Sequence, residues 1–329
     1  MPTATMIKNI LTCLTLIFAL PTDANGLPTT ANTTGSMDIL VVQVVNPTAQ
    51  VITIDDQGNI SVNAQPNVPA PKYPNSPKMV TVAQRVYSIG AWVGLHEGTN
   101  GRRVEMLEDN KWVEQTTTNY ERFLAVVVYL PSHSLLVACG CDYYEDDCTK
   151  TCDVRTESND APWSTRSSQC ISGAEGVEHN GLIWISGGRL CSESNPKPIA
   201  RLTTYSYDDD TWTDMASMHQ ARLYHAMAVA DDNLLVVCGG VEYKRLSSCE
   251  YYSMRDNKWE SMPALQQALT SLSLHTVGTY RMIIFGGFGD EGVEFYKHID
   301  RFDNATGWST QPNCIVATAD VPLGTAVLP

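Results

Sequence analysis

Basic residues are scarce in this chain. Its 329 residues include 22 lysines and arginines against 36 aspartates and glutamates, which gives a formal net charge of −14 at pH 7. Nucleic acids and anionic membrane surfaces attract cationic proteins, so this charge balance argues against both as partners. The acidic surface is expected mainly to keep the protein soluble.

Long apolar runs are missing after the N-terminus, where no segment reaches the ~18 residues of a membrane span. Near the start, Lys8 precedes an apolar run at residues 10–20, and a cleavage site follows at Ala24. A charged start, a short apolar core and a small residue at the cleavage site are typical of a secretory signal peptide. The sequence therefore predicts a signal peptide at residues 1–24, a flexible tail at 25–37 and a secreted, extracellular protein without a membrane span. An uncleaved signal anchor is the alternative.

Motifs for catalysis and metal binding are absent too. The seven histidines form no H-x-H or H-E-x-x-H pattern, and the ten cysteines form no C-x-x-C pair. There is also no G-x-S-x-G nucleophile motif and no phosphate-binding glycine loop. These absences exclude the enzyme classes that rely on those motifs, and we predict no catalytic residue, no cofactor and no metal site.

The chain does have a repeated pattern of a strand, a glycine position, a second strand and a tryptophan. Subtracting tryptophan positions gives separations of 51, 49, 47 and 49 residues, and five glycines keep a similar step. The tryptophans are Trp112, Trp163, Trp212, Trp259 and Trp308, and the glycines are Gly90, Gly140, Gly187, Gly239 and Gly286. β-Branched runs broken by glycine and by charged turns indicate short strands rather than helices.

Three copies of the pattern are nearly complete: residues 182–188 with 203–212, 234–240 with 249–259, and 282–287 with 298–308. A period near ~50 with these features resembles the kelch repeat. The resemblance covers roughly residues 38–318 and implies an all-β, six-bladed kelch-type β-propeller that forms one domain over residues 38–329. In that fold the tyrosines and tryptophans pack one sheet on the next.

The two ends of the chain are predicted to share one blade. Residues 38–45 and 50–62 match the second, third and fourth strands of a blade. A C-terminal strand is therefore expected to complete that blade and close the ring, which satisfies the open sheet edges. Residues 314–319 are the expected closing strand, and residues 321–328 are the alternative. The proline-rich residues 63–77 are expected to form a loop between blades.

The cysteines are expected to form disulfides, because secreted proteins mature in an oxidising compartment. The alignment of repeats places Cys139 and Cys238 just before the glycine position. It places Cys152 and Cys249 at the start of the third strand, so Cys139–Cys152 and Cys238–Cys249 are the first predicted bridges.

Two further pairs follow from the loops that the kelch resemblance implies: Cys141–Cys148 and Cys170–Cys191. Cys314 is left over, and it either stays buried and free or links two chains in a disulfide-bonded dimer. A zinc site from Cys141, Cys148 and Cys152 is a less favoured alternative. Three N-x-S/T sequons predict glycosylation at Asn32, Asn59 and Asn304.

A ligand-binding face is predicted where loops between the second and third strands meet loops between blades. Arg122 and Arg222 each follow a tryptophan by 10 residues, so they should occupy equivalent positions, either holding an acidic ligand or capping loop carbonyls. The loops also carry aromatic and cationic residues of the kind that interface cores favour. These residues are Tyr143, Tyr144, Arg189, Tyr243, Lys244, Arg245 and Phe288.

The sequence thus favours a secreted, disulfide-stabilised propeller that binds an extracellular protein or glycan, with the extracellular matrix as one setting. The alternative is a small secreted enzyme that acts on a sugar at the propeller centre, of the mutarotase or galactose oxidase type. That alternative requires arginine and carboxylate side chains to converge on the central axis.

Overall fold

The computed structural model of the protein describes residues 37–42, 49–55, 59–65, 78–90, 100–122, 124–140, 151–157, 161–168, 171–190, 197–231, 233–276, 282–289, 296, 298–303, 306–315 and 324–327. The predicted signal peptide and almost all of the predicted tail lie outside these residues. The same holds for the proline-rich residues 66–77.

The described residues form six antiparallel sheets of four strands each. The closing blade comprises β1 (Met37–Val42), β2 (Ala49–Ile54), β3 (Ile60–Gln65) and β24 (Gly324–Val327). Blade 1 comprises β4 (Lys78–Val82), β5 (Arg85–Ile89), β6 (Val104–Glu108) and β7 (Lys111–Glu114). Blade 2 comprises β8 (Val126–Leu130), β9 (Leu135–Cys139), β10 (Thr151–Thr156) and β11 (Ser164–Ser167).

Blade 3 comprises β12 (Ile171–His179), β13 (Leu182–Leu190), β14 (Leu202–Ser206) and β15 (Thr211–Asp214). Blade 4 comprises β16 (Ala226–Asp231), β17 (Leu234–Cys238), β18 (Cys249–Ser253) and β19 (Lys258–Met262). Blade 5 comprises β20 (Ser273–Thr276), β21 (Met282–Phe285), β22 (His298–Asp303) and β23 (Gly307–Ile315). Two short 3₁₀ turns lie at Asn100–Arg102 and Pro131–His133. The predicted six-bladed propeller is confirmed.

The ring closes through the two ends of the chain, as predicted, but the closing strand is not residues 314–319. β24 pairs with β1, with Gly324 opposite Val42 and Val327 opposite Ile39. Cys314 instead lies in β23, which continues past Trp308 as the outer strand of blade 5. Two short apolar stretches follow Trp308, and hydrophobicity alone does not decide which of them reaches β1. The alternative stretch at residues 321–328 contains the closing strand.

The core consists of six apolar clusters, one between each pair of neighbouring blades. Strand β17 contributes side chains to two of these clusters. Leu235 and Val237 pack toward blade 3, whereas Val236 and Cys238 pack toward blade 5. Side chains alternate between the two faces of a strand, and both faces are buried here. This explains why the inner strands read as continuous apolar runs rather than as an alternating pattern.

The repeated tryptophans join neighbouring blades by hydrogen bonds as well as by packing. The indole Nε1 of Trp163 donates to the Thr116 carbonyl at 2.9 Å. Trp259 donates to the Ala216 carbonyl at 2.7 Å in the same way. Each acceptor follows the tryptophan of the preceding blade by four residues, so the tryptophans of blades 2 and 4 make the same inter-blade contact.

The glycine at the end of the second strand is required by close backbone contact. Gly239 has a φ of +67°, and a Cβ atom at this position would lie 2.5 Å from the Leu269 carbonyl oxygen. Gly187 has the same environment, with the Arg222 carbonyl oxygen 2.3 Å from its Cβ position. A side chain would therefore push the loop of the next blade away.

Candidate functional site

The loops that follow the second strands lie beside the loops that connect successive blades, and we call the face they form the upper face. In blade 4 it comprises residues 239–248 and the connecting residues 263–272. Backbone hydrogen bonds join the two segments: Gly240 N–H donates to Leu269 O at 2.8 Å, and Leu269 N–H donates to Leu246 O at 3.1 Å. This is the face on which the sequence predicted a ligand site.

Arg222 lies beneath this face rather than on it. The side chain is fully buried, and its guanidinium donates to the carbonyls of Gly239 at 2.7 Å and Ser248 at 3.1 Å. It also forms an ion pair with Glu250 at 2.6 Å. Burial lowers the pKa of the guanidinium and the Glu250 carboxylate opposes that effect, but an arginine retains its charge. Arg222 therefore closes the base of the loop at residues 239–248.

Arg122 makes the equivalent contacts in blade 2. Its guanidinium donates to the Gly140 carbonyl at 2.6 Å and to the Thr151 carbonyl at 2.9 Å. Its ion-pair partner is Asp153, at 3.0 Å, and both side chains are fully buried. The placement of Arg122 and Arg222 in a ligand-binding set is thus corrected, because buried guanidinium groups with these partners do not reach a ligand. Capping of loop carbonyls, the alternative for these residues, is what the structure shows.

Two of the predicted disulfide pairs lie directly beside these arginines. The sulfur atoms of Cys139 and Cys152 are bonded in the structure, and so are those of Cys238 and Cys249. Each pair joins the second strand to the third at directly opposed positions. The base of each loop is therefore held by a disulfide and by an arginine.

The other predicted cysteine pairs, Cys141–Cys148 and Cys170–Cys191, lie outside the described residues. Among the residues that the structure does describe, no cluster of three or more metal-ligating side chains occurs. The sequons at Asn32 and Asn304 also lie outside them. Asn59 is exposed just before β3, where its side-chain amide donates to Asp55 at 2.8 Å.

The remaining predicted ligand residues differ in exposure. Tyr243 is 84% exposed and Lys244 is exposed beside it, at the tip of the blade 4 loop. Arg245, Arg189 and Phe288 are half-buried. Tyr143 and Tyr144 lie outside the described residues. Tyr243 and Lys244 are therefore the predicted residues most accessible to a partner.

The loop that carries Tyr243 is held by its backbone. Val241 N–H donates to Leu223 O at 2.9 Å, and Leu223 N–H donates back to Val241 O at 3.0 Å. Leu246 N–H donates to Gly240 O at 2.9 Å, and Val241 bridges to Arg245 across the turn. An aromatic ring on such a loop has little backbone entropy to lose when a partner binds.

Tyr120 is an upper-face residue that the sequence reasoning missed. It is 38% exposed, and its ring lies 5.7 Å from the Arg122 guanidinium carbon. The buried Asp153 accepts its backbone N–H at 3.2 Å. The sequence signal was the spacing: Tyr120 lies two residues before Arg122, as Gln220 lies two residues before Arg222. Gln220 is equivalent in structure as well, since its backbone N–H donates to the buried Glu250.

A cavity of about 440 Å³ runs along the propeller axis, between the inner strands. Its upper rim is a chain of backbone hydrogen bonds: Gly173 donates to Leu124, Tyr224 to Gly173, and Ser271 to Tyr224, at 3.2, 2.9 and 2.7 Å. Within the cavity wall, Lys78 of blade 1 forms an ion pair with Glu175 of blade 3. None of the described residues that line the cavity is an arginine. The arginine–carboxylate convergence that a sugar enzyme requires is therefore not formed by this part of the chain.

Two buried histidines, His225 and His275, have lowered pKa values. Nε2 of the buried His225 lies 2.8 Å from the Ser186 hydroxyl, and burial lowers the pKa of this imidazole well below its ordinary value. His275 stacks on Phe285, with ring centroids 5.6 Å apart, and burial lowers its pKa to about 4. Both are expected to be uncharged at neutral pH.

A third histidine links blades 2 and 3 at the opposite face of the propeller. Nδ1 of His133 lies 2.8 Å from the Ser132 hydroxyl, and Nε2 lies 2.8 Å from the Asp208 carboxylate. The His133 ring also packs on Tyr207, with centroids 5.1 Å apart. Ser132 and Asp208 are exposed on turns, so this serine–histidine–aspartate chain is a surface contact between blades.

Comparison with known proteins agrees with this geometry. A family model described as the kelch motif matches residues 222–266. Kelch-like protein 40 of Mus musculus is 32% identical over 113 residues, which are 34% of this chain and 17% of that protein. Kelch-like protein 41a of Danio rerio is 31% identical over 107 residues, 32% of this chain and 17% of that protein.

Kelch-like protein 35 of Mus musculus is 30% identical over 115 residues, or 35% of this chain and 19% of that protein. The matched part of the chain thus spans less than a fifth of each of these relatives. No helix among the described residues is long and apolar enough to cross a membrane. The kelch-motif match, these relatives and the six four-stranded blades together support a kelch-repeat β-propeller.

Proposed function

We propose that this chain is a secreted interaction module that binds an extracellular protein partner through its upper face. Kelch propellers generally act as protein-interaction modules, and a fold alone does not identify a partner. The observation that carries the proposal is the loop at residues 241–245, which presents Tyr243 and Lys244 on a backbone held by hydrogen bonds and by Arg222 beneath it.

Charge complementarity favours an acidic partner surface. The chain has a net charge of −14, yet this loop presents a lysine next to its most exposed aromatic ring. Aromatic and cationic side chains that lose little entropy on binding are typical of interface hot spots. We therefore expect Tyr243 to supply the apolar contact, while Lys244 steers the association with an acidic partner.

The test is capture of a partner from extracellular extract by the purified protein, using two variants with a matched charge change. Tyr243→Ser/Lys244→Glu alters the loop tip. Arg255→Glu makes the same charge change on the turn at the other end of blade 4, where Arg255 is exposed. We expect the native protein and Arg255→Glu to capture the partner and the loop variant to lose it at least about tenfold. Equal capture by both variants would place the site elsewhere. If enzymatic deglycosylation of the partner abolishes its capture, the ligand is a glycan.

Secretion, glycosylation and disulfide formation belong to the same proposal. Expression in a secreting eukaryotic cell should release a protein that starts after Ala24 and becomes smaller on treatment with an N-glycosidase. Peptide mapping under non-reducing conditions should recover Cys139–Cys152 and Cys238–Cys249 as linked peptides. Retention of the protein inside the cell with all cysteines reduced would refute this part of the proposal without affecting the upper-face site.

A further inference from the structure

We propose that the axial cavity is a binding site for a small zwitterion with an apolar side chain, such as a free apolar α-amino acid. The inference rests on the Lys78–Glu175 ion pair, on the small side chains opposite it and on the apolar side chains below it. It is independent of the upper-face interaction proposed above.

The two charges stand at the same level of the propeller. Pairing with the second strands places Lys78 opposite Ile89 and Glu175 opposite Ser186. These partners occupy equivalent positions, because each directly precedes the glycine position of its blade. Lys78 and Glu175 therefore meet near the upper rim of the cavity, on either side of blade 2.

Small side chains occupy the same level on the other side of the axis. The equivalent residues of blades 4 and 5 are Ala226, opposite Cys238, and Ser273, opposite Phe285. Both line the cavity. The ion pair thus faces space rather than a bulky side chain. The Lys78 and Glu175 side chains line the cavity and keep 33% and 24% of their surface exposed.

Below this level the wall carries apolar side chains together with polar ones: Thr276, and Glu178, whose Oε1 accepts the Gly181 N–H at 2.9 Å. Val127, Val177, Met227, Val229 and Leu274 all line the cavity. His275 also lines it, and its lowered pKa leaves it uncharged at neutral pH. A cavity of about 440 Å³ is in the range that holds small ligands, whose sites combine apolar walls with a few placed polar groups.

The chemistry of the wall selects the class of ligand. A lone anion would gain from Lys78 but would stand beside the Glu175 carboxylate, and a lone cation would meet the reverse conflict. A zwitterion places its carboxylate on Lys78 and its ammonium group on Glu175, so that one ion pair is exchanged for two. Its side chain then enters the apolar part of the cavity, where burial of apolar surface adds to the affinity.

The test measures binding of L-leucine, N-acetyl-L-leucine and L-leucinamide to the full chain by isothermal titration calorimetry, with thermal unfolding as a second readout. The acetyl group removes the ammonium charge and the amide removes the carboxylate charge. We expect L-leucine to bind and each blocked analogue to bind at least about tenfold more weakly, the equivalent of about 1.4 kcal/mol.

Two cavity variants test which side chain binds each charged group of the amino acid. In Lys78→Met, L-leucine should bind no better than L-leucinamide, because the carboxylate has lost its partner. In Glu175→Gln, L-leucine should bind no better than N-acetyl-L-leucine. Lys111→Met, on the outer strand of blade 1 where Lys111 is exposed, should bind L-leucine as the native chain does, and native-like unfolding of each variant establishes that it is folded.

Three results would overturn the proposal. One is the absence of L-leucine binding, confirmed with L-methionine and L-phenylalanine as further probes. Another is equal binding of L-leucine and its two blocked analogues. The last is unchanged binding in folded Lys78→Met and Glu175→Gln, which would place the amino acid at another site. None of these results bears on the upper face, so the two proposals fail separately.

Discussion

The ion pair between Arg222 and Glu250 can be replaced by the uncharged residues that blade 3 has at the equivalent positions. This replacement tests how much the buried ion pair stabilises the base of the upper-face loop. The inter-blade loops place Arg122, Ile171, Arg222 and Leu269 at equivalent positions, since the carbonyl of each contacts the glycine position of the preceding blade. Blade 3 therefore has Ile171 where blade 4 has Arg222. At the position of Glu250, blade 3 has Thr203, which likewise follows the residue paired with the end of the second strand.

Arg222→Ile alone leaves the buried Glu250 carboxylate without its arginine partner, and His219 Nδ1, 3.2 Å away, is the remaining side-chain partner. Removing one partner of a buried ion pair typically costs about 3–5 kcal/mol. Glu250→Thr alone leaves the buried guanidinium without its anion, and a similar cost is expected. If the two costs were independent, the double variant would lose about 6–10 kcal/mol, which is most of the stability of a typical domain.

The double variant Arg222→Ile/Glu250→Thr leaves no unpaired buried charge. It still loses the hydrogen bonds to the Gly239 and Ser248 carbonyls and to the Ser248 hydroxyl, and those that the carboxylate accepts from the backbone N–H groups of residues 219 and 220. At about 1 kcal/mol each, these five bonds amount to about 5 kcal/mol. The expected coupling between the two sites is thus about 1 kcal/mol or more, and it makes the double variant more stable than the sum of the single costs predicts.

The assay is urea unfolding at equilibrium, followed by tryptophan fluorescence, with the free energy of unfolding compared across the four proteins. If a single variant is recovered unfolded, the comparison becomes soluble yield, and the double variant should fold where that single variant does not. Costs of the two substitutions that add within about 0.5 kcal/mol would refute the reasoning, because they would show that Arg222 and Glu250 do not depend on each other.

Three further predictions concern the scaffold. Gly239→Ala should lower the free energy of unfolding by about 2 kcal/mol or more, because the strain of a positive φ adds to the clash of the new Cβ atom with the Leu269 carbonyl. Gly181→Ala is the control in the same urea assay: Gly181 also has a positive φ but has open space around it, so the substitution should cost about 1 kcal/mol. His275 has a folded-state pKa of about 4, below the ordinary histidine value of about 6.5, so the unfolded state binds more protons between these values and stability falls as the pH drops from about 6.5 to 4. Its contribution is at most about 3 kcal/mol, and His275→Asn should flatten the dependence of Tm on pH in that window; an unchanged slope would show that other groups cause it. Burial raises the pKa of the Asp38 carboxyl, so its stabilising contribution is present at low pH and lost as the pH rises through the raised value. Asp38→Asn should therefore raise Tm by a few degrees at pH 7.5 in differential scanning calorimetry and have little effect at pH 3, whereas a lower Tm at pH 7.5 would mean that the carboxylate is stabilising.

The repeat period and the kelch resemblance together predicted the number of blades and the shared closing blade. A tryptophan and a glycine near every ~50 residues indicate a repeated sheet, and one such sheet buries both of its faces only when neighbouring copies pack on it. The cysteine pairs of blades 2 and 4 followed from the same alignment, since residues that flank equivalent loops lie opposite each other on adjacent strands.

The tertiary structure decided what the pattern left open. Arg122 and Arg222 were predicted at equivalent positions, but only the packed blades show that carbonyls and a buried carboxylate surround each guanidinium, which removes both from the ligand-binding face. The closing strand was uncertain for a related reason: a short apolar stretch carries no information about the edge with which it pairs.

The axial site lay entirely beyond sequence reasoning. Lys78 and Glu175 are 97 residues apart and belong to no motif, so nothing local connects them. They meet because every blade directs its first strand toward one axis, and the level of each residue along that axis is set by pairing with its second strand. Local pattern thus determined the blades, whereas the closed ring determined which side chains face one another across its centre.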